Sequence, residues 1–214
     1  MKAIIFDLDG TLLDTIRDLH SATNYALRKY GFSERTLAEI NSFVGNGLGM
    51  LIRRAVPTGT SEEIVQEVLT TMKSYYADHY HDLTVPYSGI LELLRCCKDH
   101  GIPMAIVSNK ADPFVKNLCD LFFKDLIHVA LGESPEQPRK PAPNMVFSAL
   151  EQLGLSPADA YYVGDSEVDI LTAKNAGLPC IAVTWGFRTE ECLLEAGATI
   201  FARDPMEIYQ IIVN

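Results

Sequence analysis

The sequence lacks any long apolar run: its hydrophobic stretches are a few residues long, whereas about 20 are needed to span a membrane. The first residues, MKAIIFDLDG, hold one lysine and a short apolar run interrupted by acids, so we expect no secretory signal. Basic residues are also few, with 18 Lys and Arg against 28 Asp and Glu and a net charge of −10. Binders of a phosphate backbone usually carry a basic face, so we expect neither a nucleic acid nor a membrane as partner.

Cysteine and histidine patterns typical of disulfide frameworks or zinc sites are missing as well. The five cysteines are odd in number and have no CxxC spacing, which predicts a reduced, cytoplasmic protein. His79 and His81 form the only close histidine pair, and we interpret them as the solvated end of a helix. No internal repeat or low-complexity tract is found.

The chain does contain six short apolar runs, most of them separated by amphipathic helical patterns. They lie at 2–7, 103–109, 126–131, 160–165, 180–185 and 198–202. Strands that alternate with helices predict an α/β fold with a parallel sheet covered on both faces. In such sheets ligands bind beyond the carboxyl ends of the strands.

Residues 15–83 have a different pattern, because helical periodicity continues there without an intervening strand signal. TIRDLHSATNYALRKYG and SEEIVQEVLTTMKSYYADHY are both amphipathic, and the second begins at a serine followed by acids. A helical block directly after the loop of the first strand predicts a helical cap domain at 15–83, inserted into a core of 1–14 and 84–214.

Polar residues follow four of the strand runs or lie in the loops after them. They are Asp7 and Asp9, Ser108 and Asn109, Lys140, and Asp165 and Asp169. Each cluster alone has an ordinary explanation as a turn, a helix cap, a surface charge or a loop. Their joint occurrence at strand ends indicates a common site.

Clustered carboxylates with room for water and phosphate favour Mg²⁺. A carboxylate can also act as a nucleophile on phosphorus, provided that a cation offsets the repulsion. Asp9 lies on the same side of an extended chain as Asp7, so it can protonate a leaving alcohol and then activate water. Gly10 and Thr11 allow backbone amides to approach a phosphate, and Ser108 and Lys140 add further donors. We expect Asn109 to contact the substrate as well.

The motifs DLDGTLLDT, SNK, KPAP and GDSEVD resemble the four motifs of the haloacid dehalogenase superfamily and span residues 7–169. The resemblance implies a Rossmann-like, doubly wound parallel sheet with a small inserted helical cap. It also implies a role for each motif residue: Asp7 as nucleophile, Asp9 as general acid and base, Ser108 as phosphate donor, Lys140 as stabiliser, and Mg²⁺ held by Asp7, the carbonyl of Asp9 and Asp165, with Asp169 nearby.

The residue at position 9 distinguishes between branches of the superfamily. Dehalogenase members lack an acid at the matching position, because a halide needs no proton, and phosphonate-cleaving members have a small residue there. The acid at this position therefore indicates phosphate esters as substrates.

The cap contains an unusual stretch, FVGNGLGMLIRRAV at 43–56, which is similar to the cap loop of phosphoglycolate phosphatase-like members. We expect Gly45, Asn46 and Gly47 to contact substrate through their amides, with a turn between helices as the alternative. Arg53 is a candidate for a substrate carboxylate, although such arginines are more often solvated. WGF at 185–187 resembles a loop near the active site, with core packing of the tryptophan as the alternative.

The sequence therefore predicts a Mg²⁺-dependent phosphatase for a small phosphorylated metabolite, with 2-phosphoglycolate as the best single candidate. A sugar phosphomutase or a pyrophosphatase on the same core is the alternative, and a non-catalytic phosphometabolite-binding protein is a third hypothesis. We expect a monomer or a homodimer.

Overall fold

A computed structural model of the chain describes residues 2–45 and 47–214. The chain divides into two compact units, Met1–Leu13 with Pro86–Asn214, and Asp14–Val85. The predicted insertion was 15–83; the second unit starts one residue earlier and ends two residues later. Two short strands, β2 (Leu13–Asp14) and β3 (Val85–Pro86), lie where the chain passes from one unit to the other.

Within the described residues, the first unit contains a sheet of six strands in the order β5-β4-β1-β6-β7-β8, and every neighbouring pair is parallel. The strands are β1 (Ala3–Phe6), β4 (Met104–Ala111), β5 (Val129–Glu133), β6 (Ala160–Gly164), β7 (Cys180–Val183) and β8 (Ile200–Ala202). The predicted α/β fold class is confirmed. One boundary was wrong: β5 begins three residues later than the apolar run at 126–131.

Helices flank this sheet, as parallel strands require. They are α5 (Ile90–Asp99), α6 (Asp112–Phe123), α7 (Asn144–Leu153), α8 (Glu167–Ala176), α9 (Glu190–Glu195) and α10 (Pro205–Val213), with a 3₁₀ turn at Pro157–Asp159. Apolar residues of α7 and α8 pack with Ala3 and Ile5 on one face. Ile4 and Phe6 point to the other face and are also fully buried, so both faces of β1 are covered.

The strand order fixes where a ligand can bind. The chain adds β4 and β5 on one side of β1, and β6, β7 and β8 on the other, so the order reverses beside β1. Such a switch point opens a crevice beyond the carboxyl ends of the strands. Polar residues that follow β1, β4 and β6 therefore meet there.

The second unit is helical, with α1 (Ile16–Lys29), α2 (Leu37–Phe43), α3 (Leu48–Ala55) and α4 (Glu62–His79). Local sequence signals set where these helices begin. Thr36 and Glu39 form a reciprocal capping box at α2, and the hydroxyl of Ser61 accepts a hydrogen bond from the amide of Ile64 at the start of α4.

None of the helices in the described residues combines the length and the apolar character needed to cross a membrane. All five cysteines are free thiols.

Candidate active site

Asp7 lies directly beyond the central strand β1. Its amide donates a hydrogen bond to the carbonyl oxygen of Val163 in β6, at 2.9 Å, so the ladder continues one residue past the strand. This bond fixes the backbone that carries the carboxylate. Only 7% of Asp7 is exposed.

Asp165 follows the neighbouring strand β6, and two loops hold its carboxylate. The hydroxyl of Thr11 donates to Oδ1 at 3.2 Å, and the amide of Phe187 donates to Oδ2 at 2.7 Å. Gly10 and Gly186 approach so closely that an added Cβ would lie 2.4 Å and 2.3 Å from atoms of Asp165. The side chain is therefore confined by backbone that only glycine allows.

Asp169 uses both carboxylate oxygens inside the protein. Its Oδ2 accepts hydrogen bonds from the amide and hydroxyl of Ser166, which completes a capping box at the start of α8. Its Oδ1 lies 2.7 Å from Nζ of Lys140 and accepts from the hydroxyl of Tyr162 at 3.1 Å. The helix cap thus orients one oxygen of Asp169 toward the lysine.

Lys140 joins the acidic residues. Its Nζ lies 2.7 Å from Oδ1 of Asp7 and 2.7 Å from Oδ1 of Asp169. The Asn109 side chain accepts from the Lys140 amide at 2.6 Å and donates to its carbonyl oxygen at 3.1 Å. Asn109, which was predicted to contact substrate, has its amide group bound to the backbone of the lysine.

Burial and mutual repulsion perturb the titration of this cluster. Burial raises the pKa of Asp7 well above its ordinary value, and repulsion from Asp169 adds to this while Lys140 opposes it. Burial, followed by the charge of Asp169, raises the pKa of Asp165 to about 7. Burial alone would lower the pKa of Lys140, but Asp169 and Asp7 outweigh it and raise the pKa, so the lysine stays charged.

The cluster fits a hard divalent cation. Asp7, Asp165 and Asp169 each offer a carboxylate oxygen, and these atoms all lie within 4.8 Å of one another. Oδ1 of Asp7 is buried and has no partner in hydrogen-bond geometry among the described residues, although Lys140 is close. One lysine does not neutralise three buried carboxylates, and oxygen ligands of this kind suit Mg²⁺.

Two further predicted residues lie near the ends of the same strands. Ser108, in β4, is 1% exposed, and its hydroxyl accepts a hydrogen bond from the amide of Lys110 at 3.2 Å. Oδ1 of Asp9 lies 2.8 Å from Nζ of Lys110. The structure thus pairs Asp9 with a lysine in the SNK motif.

The predicted cap residues belong to the second unit. Gly45 and Gly47 have φ angles of 118° and 81°, a region that favours glycine at both positions. Asn46 lies outside the described residues. Arg53 forms a bidentate pair with Glu62, with N–O distances of 2.6 Å and 2.8 Å.

Sequence reasoning missed Tyr162 and identified loop 185–187 without its contacts. Tyr162 bridges Asp169 and Lys140, but in the sequence it is one more apolar strand residue. Loop 185–187 was recognised only by resemblance; in the structure Trp185 donates from Nε1 to the carbonyl oxygen of Thr11 at 3.0 Å. The position of loop 185–187 directly after β7, a strand of the same parallel sheet, was the sequence feature that indicated a place near the site.

Comparisons with known proteins identify relatives of the chain. The sequence model of the family described as haloacid dehalogenase-like hydrolase matches residues 4–183. Phosphoglycolate phosphatase 1 of Pseudomonas aeruginosa is 34% identical over 209 residues, which cover 93% of this chain and 75% of that protein. Phosphoglycolate phosphatase of Neisseria meningitidis is 33% identical, with coverage of 93% and 87%.

Solved structures share the fold over nearly the whole chain. A candidate phosphoglycolate phosphatase from Lactobacillus delbrueckii subsp. bulgaricus superposes with a TM-score of 0.94 at 36% identity, covering 99% of this chain and 98% of that one. A haloacid dehalogenase-like hydrolase from Streptococcus pneumoniae gives a TM-score of 0.89 at 26% identity, with coverage of 99% and 98%.

The chain belongs to the haloacid dehalogenase-like hydrolase family. Within that family it is a phosphatase of the phosphoglycolate phosphatase-like branch.

Proposed function

We propose that the protein is a Mg²⁺-dependent phosphatase that hydrolyses 2-phosphoglycolate through a phosphorylated Asp7. The observation that carries the proposal is the buried cluster of Asp7, Lys140, Asp165 and Asp169 beyond the carboxyl ends of β1 and β6. The names of the relatives support the choice of substrate.

Asp7, the carbonyl oxygen of Asp9 and Asp165 would hold the ion, with Asp169 beside them. When bound, Mg²⁺ supplies the positive charge that offsets repulsion between a carboxylate nucleophile and an anionic phosphoryl group. Asp165 is suited to this role because Thr11 and Phe187 fix its carboxylate.

The first step transfers the phosphoryl group to Asp7. A carboxylate oxygen of Asp7 attacks phosphorus, the bond from phosphorus to the ester oxygen breaks, and Asp9 donates its proton to that oxygen. Lys140 and the hydroxyl of Ser108 stabilise the charge on the phosphoryl oxygens. The amides of Gly10 and Thr11 donate to the carbonyl oxygens of Leu13 at 2.9 Å and Leu8 at 3.4 Å, so they would have to exchange these bonds to contact the phosphoryl group.

The second step returns the enzyme to its starting state. Asp9, now a carboxylate, takes a proton from a water molecule as the water oxygen attacks phosphorus. The bond between Asp7 and phosphorus breaks, and inorganic phosphate leaves. We propose that the part of the substrate beyond the phosphate contacts Gly45, Asn46, Gly47 and Arg53. Arg53 would then bind a substrate carboxylate in place of Glu62 or together with it.

A panel of phosphate esters tests the proposal. The wild-type protein is incubated with 2-phosphoglycolate, pyrophosphate, phosphoserine, a hexose phosphate and p-nitrophenyl phosphate, each with Mg²⁺ and with EDTA. We expect free phosphate from 2-phosphoglycolate with the highest kcat/KM, loss of activity in EDTA, and recovery with Mg²⁺. A hexose phosphate isomerised without release of phosphate would indicate a mutase, and no turnover of any ester would indicate a non-catalytic protein.

The raised pKa of Asp165 predicts a stability that depends on pH when no metal is bound. Its pKa is about 7 in the folded protein and about 3.8 when exposed, so between these values the folded state binds more protons. We therefore expect the free energy of unfolding in EDTA to decrease by up to ~1.4 kcal/mol per pH unit between about pH 4 and about pH 7, and the melting temperature to fall with it. Mg²⁺ at about pH 8 should raise the melting temperature again.

Asp165→Asn is the matched variant for this measurement. Because its amide does not titrate, we expect a smaller decrease of the melting temperature between the same pH values. An equal decrease in the variant would assign the effect to other groups.

A further inference from the structure

Lys110 is a buried cation that the mechanism above does not use. Its Nζ lies 2.8 Å from Oδ1 of Asp9, and 6% of its side chain is exposed, against 20% for Asp9. Removing two charges from water is costly, and an apolar pair at such a position is often at least as stable. A contribution to the stability of the fold therefore does not explain why Lys110 and Asp9 form a buried ion pair.

The backbone that carries Lys110 is held on two sides. The pairing of β4 with β5 shifts register between Val107 and Ala111, so residues 108–110 lie outside the regular ladder. The hydroxyl of Ser108 accepts a hydrogen bond from the amide of Lys110. This bond spans the irregular segment and fixes the direction in which the lysine leaves the strand.

Gly132 of β5 supports the same segment from the other side. A Cβ on Gly132 would lie 2.6 Å from the carbonyl oxygen of Lys110 and 2.4 Å from Cα of Asp112. Its amide also donates to Oδ1 of Asp112 at 3.0 Å. Both strands therefore determine where Lys110 lies.

We propose that Lys110 is the positioning residue for Asp9, holding Oδ1 so that Oδ2 exchanges the proton with the leaving oxygen and then with water. The inference rests on the proposed function and assigns a role to the third residue of the SNK motif, which the resemblance left without one. A charge-assisted hydrogen bond to one oxygen fixes the rotation of the carboxylate. It also compensates the negative charge that Asp9 acquires when its proton passes to the leaving oxygen.

Two esters that carry the same ring but different leaving groups test the inference. p-Nitrophenyl phosphate releases a phenolate that needs little protonation, whereas benzyl phosphate releases an alkoxide that must be protonated. The parameter measured is kcat/KM, because it covers the steps up to departure of the leaving group. The proteins are the wild type, Asp9→Asn, Lys110→Met and Lys124→Met, each with Mg²⁺.

We expect Lys110→Met to lose about tenfold or more in kcat/KM for benzyl phosphate, and about threefold or less for p-nitrophenyl phosphate. Asp9→Asn should show the same preference more strongly. Lys124→Met makes the same substitution at an exposed lysine directly after α6 and should match the wild type for both esters. The ratio of the kcat/KM values for the two esters, measured in one preparation, does not depend on the fraction of protein that is folded.

Equal losses for the two esters in Lys110→Met, or no loss, would overturn the inference while Asp9→Asn still discriminates between them. If the wild type hydrolyses neither these two esters nor 2-phosphoglycolate, the proposed function fails. If Asp9→Asn does not discriminate between the two esters, the role assigned to Asp9 fails instead.

Discussion

Asp7→Asn should reduce kcat by at least about 10⁴-fold for every phosphate ester that the wild type hydrolyses. The amide has nearly the same shape as the carboxylate but is a far weaker nucleophile, so no phosphorylated residue forms. Steady-state release of phosphate measures the loss. Mass spectrometry of acid-quenched protein should detect an added phosphoryl group on the wild type and none on the variant.

The same substitution should leave the fold intact. Burial and two neighbouring carboxylates disfavour the charged form of Asp7, so a neutral amide removes repulsion. We expect the melting temperature in EDTA to be equal to or above that of the wild type. Asp99→Asn, at an exposed aspartate of α5, is the control and should change neither quantity. Turnover by Asp7→Asn within about tenfold of the wild type would rule out Asp7 as the nucleophile.

Lys140→Met should reduce kcat by about 10²- to 10³-fold, since it removes a donor to the charge that develops on the phosphoryl group. Unlike Asp7→Asn, it should also destabilise the protein. Lys140 is the cation between Asp7 and Asp169, and taking one partner from a buried ion pair costs about 3–5 kcal/mol. At about 2–4 °C per kcal/mol, the melting temperature in EDTA should fall by roughly 6–20 °C.

Lys124→Met replaces an exposed lysine and is the control for the loss of one positive charge. It should keep the activity and melting temperature of the wild type. If Lys140→Met melts like Lys124→Met, the lysine does not balance the carboxylates. If it keeps full activity, the role assigned to it in catalysis is wrong.

Asp7→Asn and Lys140→Met are expected to change the melting temperature in opposite directions, and one property of the site explains both changes. Asp7, Asp165 and Asp169 are buried together with a single lysine, so removing an acid relieves the cluster and removing the lysine aggravates it. Mg²⁺ should reduce both effects, because a bound cation supplies the missing charge.

Much of the fold could be predicted from local pattern. Short apolar runs of β-forming residues indicated the six strands of the sheet, and amphipathic periodicity indicated the helices between them. β5 was the exception: LIH, at 126–128, is apolar but precedes the strand, since pairing with β4 begins only at Val129. Apolar character alone does not specify where a ladder starts.

The positions of Asp7, Ser108 and Asp165 also followed from the sequence. Asp7 and Asp165 directly follow β1 and β6, and Ser108 lies in the second half of β4. Parallel strands bring their carboxyl ends to one edge of the sheet. Their roles in catalysis stay predictions that the variants above test.

The local signals did not indicate which side chains pair with one another. Lys110 lies 101 residues from Asp9 along the chain, and Lys140 lies 29 residues from Asp169. Asn109 has the polar character of a substrate ligand, yet both ends of its amide bind the backbone of Lys140. Contacts of this kind depend on register and strand order, which act over distances that no local pattern encodes.

The linear order of residues was therefore sufficient for the α/β class, for the edge of the sheet at which the acidic residues gather, and for the kind of chemistry that such residues perform. Folding added the partners: Lys140 between two acids, Gly10 and Gly186 against Asp165, and Lys110 beside Asp9. The reason is physical. Periodicity reports which face of an element is buried, whereas the approach of two side chains depends on how distant elements pack, down to the space of a single Cβ atom.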